Sequence, residues 1–202
     1  MPQQQPLSAG RGPAVSAAIS PSASLNRRRF FGRLALAGGA VALPALIPAS
    51  ALGRDGKVPP SERIVMAGVG IGPRGTHDLN WMLPERDVQF VAICDAKRSA
   101  RERVKQIIDT KYGNADCKMY RDLREFLAER TDIDAILCAT GDHNHALAAT
   151  WIMRSGKDVY CEKPSAMTIA EGRTVAETAK RYGRVYQTGT QRLSEANFVF
   201  CY

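Results

Sequence analysis

Several groups of residues in this chain have types and spacings that could do chemistry. The first lies in the run Ile64-Val-Met-Ala-Gly-Val-Gly-Ile-Gly-Pro-Arg-Gly75, where Gly70, Gly72 and Gly75 stand in G-x-G-x-x-G spacing behind an apolar stretch. Gly70 permits a tight bend, Gly72 lets main chain approach a phosphate, and Gly75 lets a helix pack closely on a strand. The segment Gly70, Ile71, Gly72, Pro73, Arg74, Gly75 would then offer a diphosphate free amides and the positive end of a helix dipole. The second group is Asp95, twenty residues past Gly75 and directly after Val91-Ala-Ile-Cys94. A carboxylate there accepts from ribose hydroxyls and repels a 2′-phosphate, which favours NAD over NADP. Lys97 and Arg98 nearby soften that preference, and a helix cap is the plainer role for Asp95.

The third group is Thr140-Gly-Asp-His-Asn-His145, with His143 and His145 at the carboxyl end of an apolar run, where open α/β sheets bind ligands. A metal site would need a further ligand close by and none is present, so no metal is expected. Thr140 or Asp142 could equally cap a helix here, leaving the histidines as ordinary first-turn residues. The fourth is Glu162-Lys163-Pro164, which closes the next apolar run. Most strand-end lysines are solvated surface charges. In a site with a cofactor, the Lys163 ammonium could hold a substrate oxygen and tune proton transfer. Pro164 could adopt a cis bond that fixes the turn.

These residues need elements to position them. Strands are expected over residues 63–69, 88–93, 133–139, 158–162 and 184–188, with residues 117–120 short and extended. Helices are expected after Gly72 to about residue 83, and over 98–112, 122–129, 143–155 and 168–182. Thr168 and Glu171 have capping-box spacing at the start of the last of these. Strands separated by helices indicate parallel β-α-β units, hence an α/β doubly wound parallel sheet of the Rossmann type.

Composition excludes some classes. The net charge is +8, but residues 1–52 hold Arg11, Arg27, Arg28, Arg29 and Arg33 and no acid. Without those five, 23 of the 28 basic groups face 20 acidic ones, a mixed surface that gives no case for nucleic acid. The five cysteines show no paired spacing and read as buried, reduced thiols. The first 25 residues, rich in Ser, Ala, Pro and Gln, are expected to be disordered. Arg27-Arg28-Arg29-Phe30-Phe31, the Ala/Gly/Leu-rich run to Pro48 and the small residues Ala49-Ser50-Ala51 form a secretory signal that resembles a twin-arginine leader. Such a leader implies the twin-arginine export machinery as a partner and a periplasmic location. An uncleaved leader would leave the chain anchored at the membrane. The expected divisions are 1–52 for the N-terminus and signal, 53–62 for a linker, 63–190 for the dinucleotide domain and 191–202 for the start of another domain.

Taken together, the glycine turn, Ile93-Cys94-Asp95, Ala139-Thr140 with a following histidine, and Cys161-Glu162-Lys163-Pro164 resemble the glucose–fructose oxidoreductase/inositol dehydrogenase family, Gfo/Idh/MocA. Residues 156–164 and 182–189 are similar to its exported members. The resemblance covers about residues 63–192. It implies a catalytic role for Lys163, a place at the nicotinamide side for His145, and cofactor contacts from Thr140, His145, Glu162 and Lys163. It further implies hydride transfer between NAD and a sugar or polyol carbon. Gly141 and Asn144 depart from the family, which often has proline and an aromatic at those positions. Relatives continue into a second α/β domain that binds substrate and makes oligomer contacts, so the chain is expected to be the cofactor half of a longer, oligomeric protein. Two other readings stand beside the dehydrogenase. One is an NAD-dependent glycoside hydrolase of the same fold, whose members tend to lack the lysine. The other is a catalytically silent nucleotide-binding fragment.

Overall fold

The computed structural model describes residues 58–199. The expected leader and disordered N-terminus lie outside them. Within the described residues six strands are formed: β1 (Ile64–Val69), β2 (Val88–Cys94), β3 (Lys118–Tyr120), β4 (Ala135–Cys138), β5 (Asp158–Glu162) and β6 (Tyr186–Gly189). The helices between and after them are α1 (Pro73–Met82), α2 (Arg98–Tyr112), α3 (Leu123–Glu129), α4 (His145–Arg154), α5 (Ile169–Tyr182) and a short α6 (Ala196–Val199). The sheet order is β3-β2-β1-β4-β5-β6 and every neighbouring pair is parallel. This is the doubly wound arrangement expected from the alternation of strand and helix. Chain direction across the sheet reverses between β1 and β4, and a crevice opens there beyond the strands' carboxyl ends.

Helices cover both faces of the central strands, which is why β1, β2 and β4 read as nearly unbroken apolar runs while the edge strands β3 and β6 do not. Successive side chains point to opposite faces. Ala67, Val69, Ala92 and Cys94 therefore pack with Ala149, Ile152 and Met153 of α4 and Val175 of α5. Met66, Phe90, Ile93 and Leu137 pack on the other face with Leu79 of α1 and Val104 and Ile108 of α2. Each fully buried Val, Leu, Ile, Phe or Met side chain among them stabilises the fold by roughly 1.5–3 kcal/mol, and the alanines by less. The helix signals behave as their chemistry requires. Asp122 accepts from the Arg124 amide at the start of α3, and Thr168 and Glu171 form the reciprocal capping box of α5. Gly113 and Gly183 end α2 and α5 in the left-handed region, at φ of 68° and 59°.

Several boundaries shift by one or two residues from the sequence reading, and two of the shifts have a clear cause. Before β4, the Asp134 carboxylate takes the Val65 amide at 2.8 Å, and the strand begins one residue later. Residues Asp142–Asn144 make a 3₁₀ turn, so α4 begins at His145 and leaves His143 exposed outside it. Cys94, Cys117, Cys138 and Cys161 are buried free thiols, and burial pushes Cys94 and Cys117 up to about 12. Cys201 lies outside the described residues.

Candidate functional site

The glycine turn joins β1 to α1 at the edge of the crevice. Gly70 has φ 66°, and a Cβ there would lie 2.6 Å from Thr140 Cγ2 and 2.7 Å from Thr140 Cα. Its amide donates to the Cys94 carbonyl at 2.9 Å, which ties the bend to β2. A Cβ on Gly75 would meet Ala139 Cβ at 2.6 Å, so α1 can lie against the end of β4 only if that residue has no side chain. Gly72 is different. Nothing lies within 4 Å of its missing Cβ, and it lines the open crevice. Pro73 follows at the first helical position, where its lost N–H is no loss. Thr76 N–H returns to Gly72 O at 3.0 Å, and the preceding amides of Arg74 and Gly75 have no acceptor within the helix. Three glycines thus do three jobs: bend, open approach and close packing.

The crevice has a volume of about 1100 Å³ and runs past Gly70, Gly72, Pro73, Asp95 and Thr140. Asp95, half-buried at the end of β2, accepts from the Lys97 amide through Oδ1 at 2.8 Å. Its other oxygen makes no hydrogen bond among the described residues. The α2 N-cap is Lys97, without a side-chain cap, so Asp95 shapes the local turn with one oxygen and keeps the other on the crevice. Arg101 donates to the Asp95 and Ala96 carbonyls at 2.5 and 3.0 Å and steadies this loop.

Arg103, unmarked by any sequence motif, lines the same crevice. Its Nη2 donates to the Ile71 carbonyl at 2.9 Å and its Nη1 to Thr76 Oγ1 at 2.7 Å, so α2 braces the glycine turn from behind. Trp151 of α4 also lines the crevice. Such contacts have no fixed spacing, and an exposed arginine beside the buried Val104 carries no signal for them in the sequence.

The other end of the site is set by the loops after β4 and β5. His145 is buried. Its Nδ1 lies 2.7 Å from the Pro164 carbonyl and its Nε2 3.0 Å from the Thr140 carbonyl. The ring joins the two loops, and in this arrangement neither nitrogen is left for a substrate or a nicotinamide. The Lys163–Pro164 bond is cis. Lys163 is exposed, and its ammonium has no hydrogen-bond or ion-pair partner among the described residues. Glu162 is turned inward. Its Oε1 meets Arg74 Nε at 3.3 Å, and its Oε2 accepts from the Lys163 amide at 3.3 Å. Gly189 at the end of β6 makes room for it, since a Cβ there would lie 2.7 Å from Glu162 Oε1.

Of the residues expected at the site, Gly70, Gly72, Pro73, Asp95 and Thr140 line one crevice. Ile71 is fully buried and can offer only main chain. Gly75 lies behind the turn against Ala139. The Arg74 guanidinium is taken by Asp78 at 2.6 Å and by Glu162. Glu162 and His145 face inward, and Lys163 stands exposed beyond the crevice. Among the described residues, no three His, Cys, Asp or Glu side chains gather in a way that could hold a metal ion.

Residues 62–190 match the family model GFO_IDH_MocA, described as an oxidoreductase family with an NAD-binding Rossmann fold. An alpha-N-acetylgalactosaminidase of Shewanella oneidensis is 32% identical over 138 residues, covering 66% of this chain and 30% of that protein. An inositol 2-dehydrogenase of Salmonella paratyphi B is 29% identical over 133 residues, covering 65% of this chain and 38% of that protein. Among solved structures, the WlbA dehydrogenase of Chromobacterium violaceum, in complex with NADH and UDP-GlcNAcA, superposes with a TM-score of 0.60 at 20% identity, over 69% of this chain and 38% of that one. The chain therefore spans about a third of the length of the curated relatives it matches.

Proposed function

The chain belongs to the Gfo/Idh/MocA oxidoreductase family, and from that premise we propose that it is the NAD-binding half of an oxidoreductase acting on a CH–OH carbon of a sugar or polyol. The observation that carries this reading is Gly72, open on the crevice at the sheet's reversal point, with Asp95 on the opposite rim. The residues present fit a dinucleotide. The free amides of Arg74 and Gly75 at the start of α1, reached past the bare Gly72, would hold the diphosphate, since the Gly70 and Gly72 amides are taken by the Cys94 and Gly70 carbonyls, and the free Asp95 oxygen would accept from the adenosine ribose. NAD, when bound, supplies a hydride acceptor. Lys163, exposed and unpaired beyond the crevice, would hold the substrate oxygen and move its proton. His145 serves as a positioning residue that locks the loops around Thr140 and Pro164.

The relatives' names support a carbohydrate substrate: one acts on inositol, another releases N-acetylgalactosamine, and a solved neighbour is in complex with a UDP-sugar. The glycosidase also favours a second reading, NAD-dependent glycoside hydrolysis on the same domain. Lys163 argues for the dehydrogenase on the family resemblance, which gives the NAD-dependent hydrolases of this fold as tending to lack a lysine there. Residues 1–52 fit a twin-arginine leader, so export of the folded protein to the periplasm belongs to the proposal. Loss of export on replacing Arg27, Arg28 and Arg29 with lysine would support it.

Titration of the chain with NADH, followed through Trp151 fluorescence, tests the cofactor reading directly. Saturable quenching is expected, and its absence would sink the reading. Substrate panels on the longer protein separate the two chemistries: NADH formed with sugar supports the dehydrogenase, and release of aglycone without net NADH supports the hydrolase. The chain alone should turn over little, because among the described residues the crevice is open to water along one side. Ordinary enzyme rates from the chain alone would refute that.

A further inference from the structure

Asp78 of α1 and Glu162 of β5 are both buried, at 1% and 3% exposure. One guanidinium serves the two of them: Arg74 meets Asp78 Oδ1 at 2.6 Å and Glu162 Oε1 at 3.3 Å. Asp78 Oδ2 is buried with no partner at all. Two carboxylates against one cation would leave an uncompensated charge in the interior, which is strongly disfavoured. A proton removes the imbalance. Placed on Oδ2, it also turns the unpartnered oxygen into a donor, and Glu162 is the neighbouring acceptor. Burial first, and then the Glu162 charge, push the Asp78 carboxyl up to about 6 against the pull of Arg74. The other titratable groups around the pair are the Tyr160 phenol and the Cys161 thiol of β5. Burial holds the Tyr160 phenol above its ordinary value. The Cys138 contact and burial do the same for Cys161, so neither supplies a compensating charge.

We propose that Asp78 and Glu162 form a carboxyl pair that takes up a single shared proton beneath Arg74 on acidification, and that this cluster positions the Glu162–Lys163 strand end instead of touching the cofactor. Glu162 Oε2 accepts from the Lys163 amide, so the arrangement of the carboxyl pair passes directly into the main chain of Lys163. Arg74 lies inside the glycine turn, so the same cluster links the diphosphate end of the site to its lysine. The positioning role rests on the proposed use of Lys163. The shared proton does not.

The test is a pH titration of the whole chain by NMR, following the Asp78 side-chain carboxyl carbon, assigned through Asp78→Asn, together with the Lys163 amide. Both should move together with a midpoint close to 6. In Asp78→Asn the Lys163 amide should stay flat over that range. In Glu162→Gln the Asp78 midpoint should fall by about one pH unit or more, since the like charge is gone. That second variant keeps the comparison open if Asp78→Asn fails to fold. An Asp78 midpoint near the ordinary value of about 4 would overturn the proposal, as would a Lys163 amide that does not respond in the native chain. NADH affinity measured on the same samples keeps the two readings apart: its absence would sink the cofactor assignment and leave the titration to decide the proton.

Discussion

Replacing Gly72 with alanine should separate folding from cofactor binding, because the structure assigns this glycine to approach and not to shape. Its φ of −76° and ψ of −163° suit alanine, and a Cβ would meet nothing within 4 Å. Two small stability effects oppose each other. Alanine restricts the unfolded chain, stabilising by about 0.4–1 kcal/mol, while losing glycine at the α1 N-cap costs a comparable amount. The net change should lie within about 1 kcal/mol of zero. The new methyl, however, projects into the crevice where a phosphate would have to reach the main chain. Lifting the diphosphate off its amides should cost at least about 1.4 kcal/mol, a tenfold loss of NADH affinity. Gly70→Ala is the contrast. At φ 66°, with its Cβ within 2.7 Å of Thr140 main chain, it carries left-handed strain of about 1–2 kcal/mol plus an overlap that backbone cannot relieve. We expect it to lose about 3 kcal/mol or more of stability in urea unfolding. The assays are urea denaturation and NADH titration on both variants. A Gly72→Ala chain that binds NADH as well as the native one would refute the placement of the diphosphate. A Gly70→Ala chain of native stability would refute the account of the bend.

Three further outcomes follow from the geometry. Asp95→Arg should lower NAD affinity about tenfold and move preference toward NADP, because the free Oδ2 is replaced by a cation suited to a 2′-phosphate; unchanged NAD binding would remove the ribose contact. Arg103→Ala should lose about 1 kcal/mol of stability, because its two charge-assisted bonds to Ile71 O and Thr76 Oγ1 are made from an exposed, solvent-screened side chain, and should weaken NADH binding by loosening the glycine turn; native affinity would show that the brace is dispensable. Asp78→Asn should change stability in a pH-dependent way. The folded-state value, raised from 3.8 to about 6, means the fold is favoured below about pH 4 and loses that advantage as pH rises through about 6, by about 3 kcal/mol at most. The variant should therefore be more stable than the native chain at pH 8 and equal to it at pH 4, and a variant destabilised at pH 8 would show that the Arg74 ion pair outweighs burial and repulsion.

The glycine turn was legible in the sequence because backbone geometry at Gly70 and Gly75 dictates residue type at fixed spacing. The positive φ at Gly70 and the 2.6 Å that would separate a Gly75 Cβ from Ala139 Cβ each exclude a side chain, whereas the fold itself leaves Gly72 room for one. Asp95 was equally legible, since strand length and turn length fix its distance from the glycines. The fold was readable for a related reason: strands buried on both faces are apolar throughout, and helices announce themselves by period and cap. The other end was not. Arg103 reaches Ile71 across 32 residues and Arg74 reaches Glu162 across 88, distances set by the crossovers and not by any local rule. For His145 the sequence indicated a strand-end histidine but not the direction of its ring, which the Thr140 and Pro164 carbonyls decide.

The two ends therefore rest on different physics. At the glycine turn, function is written into main chain that does not titrate and tolerates few side chains. Around Glu162, it is written into buried charges whose balance depends on a proton. Arg74 is the one residue examined by both constraints, because it sits between Gly72 and Gly75 in the chain while its guanidinium clamps Asp78 and Glu162. A purely diphosphate-binding turn would leave that side chain free to face the phosphates. Its inward turn means that the position between the glycines is read by β5 and not by the diphosphate. An Arg74→Lys change, which keeps the charge but cannot span two carboxylates as a planar fork does, should then disturb the Lys163 strand end more than it disturbs NADH affinity.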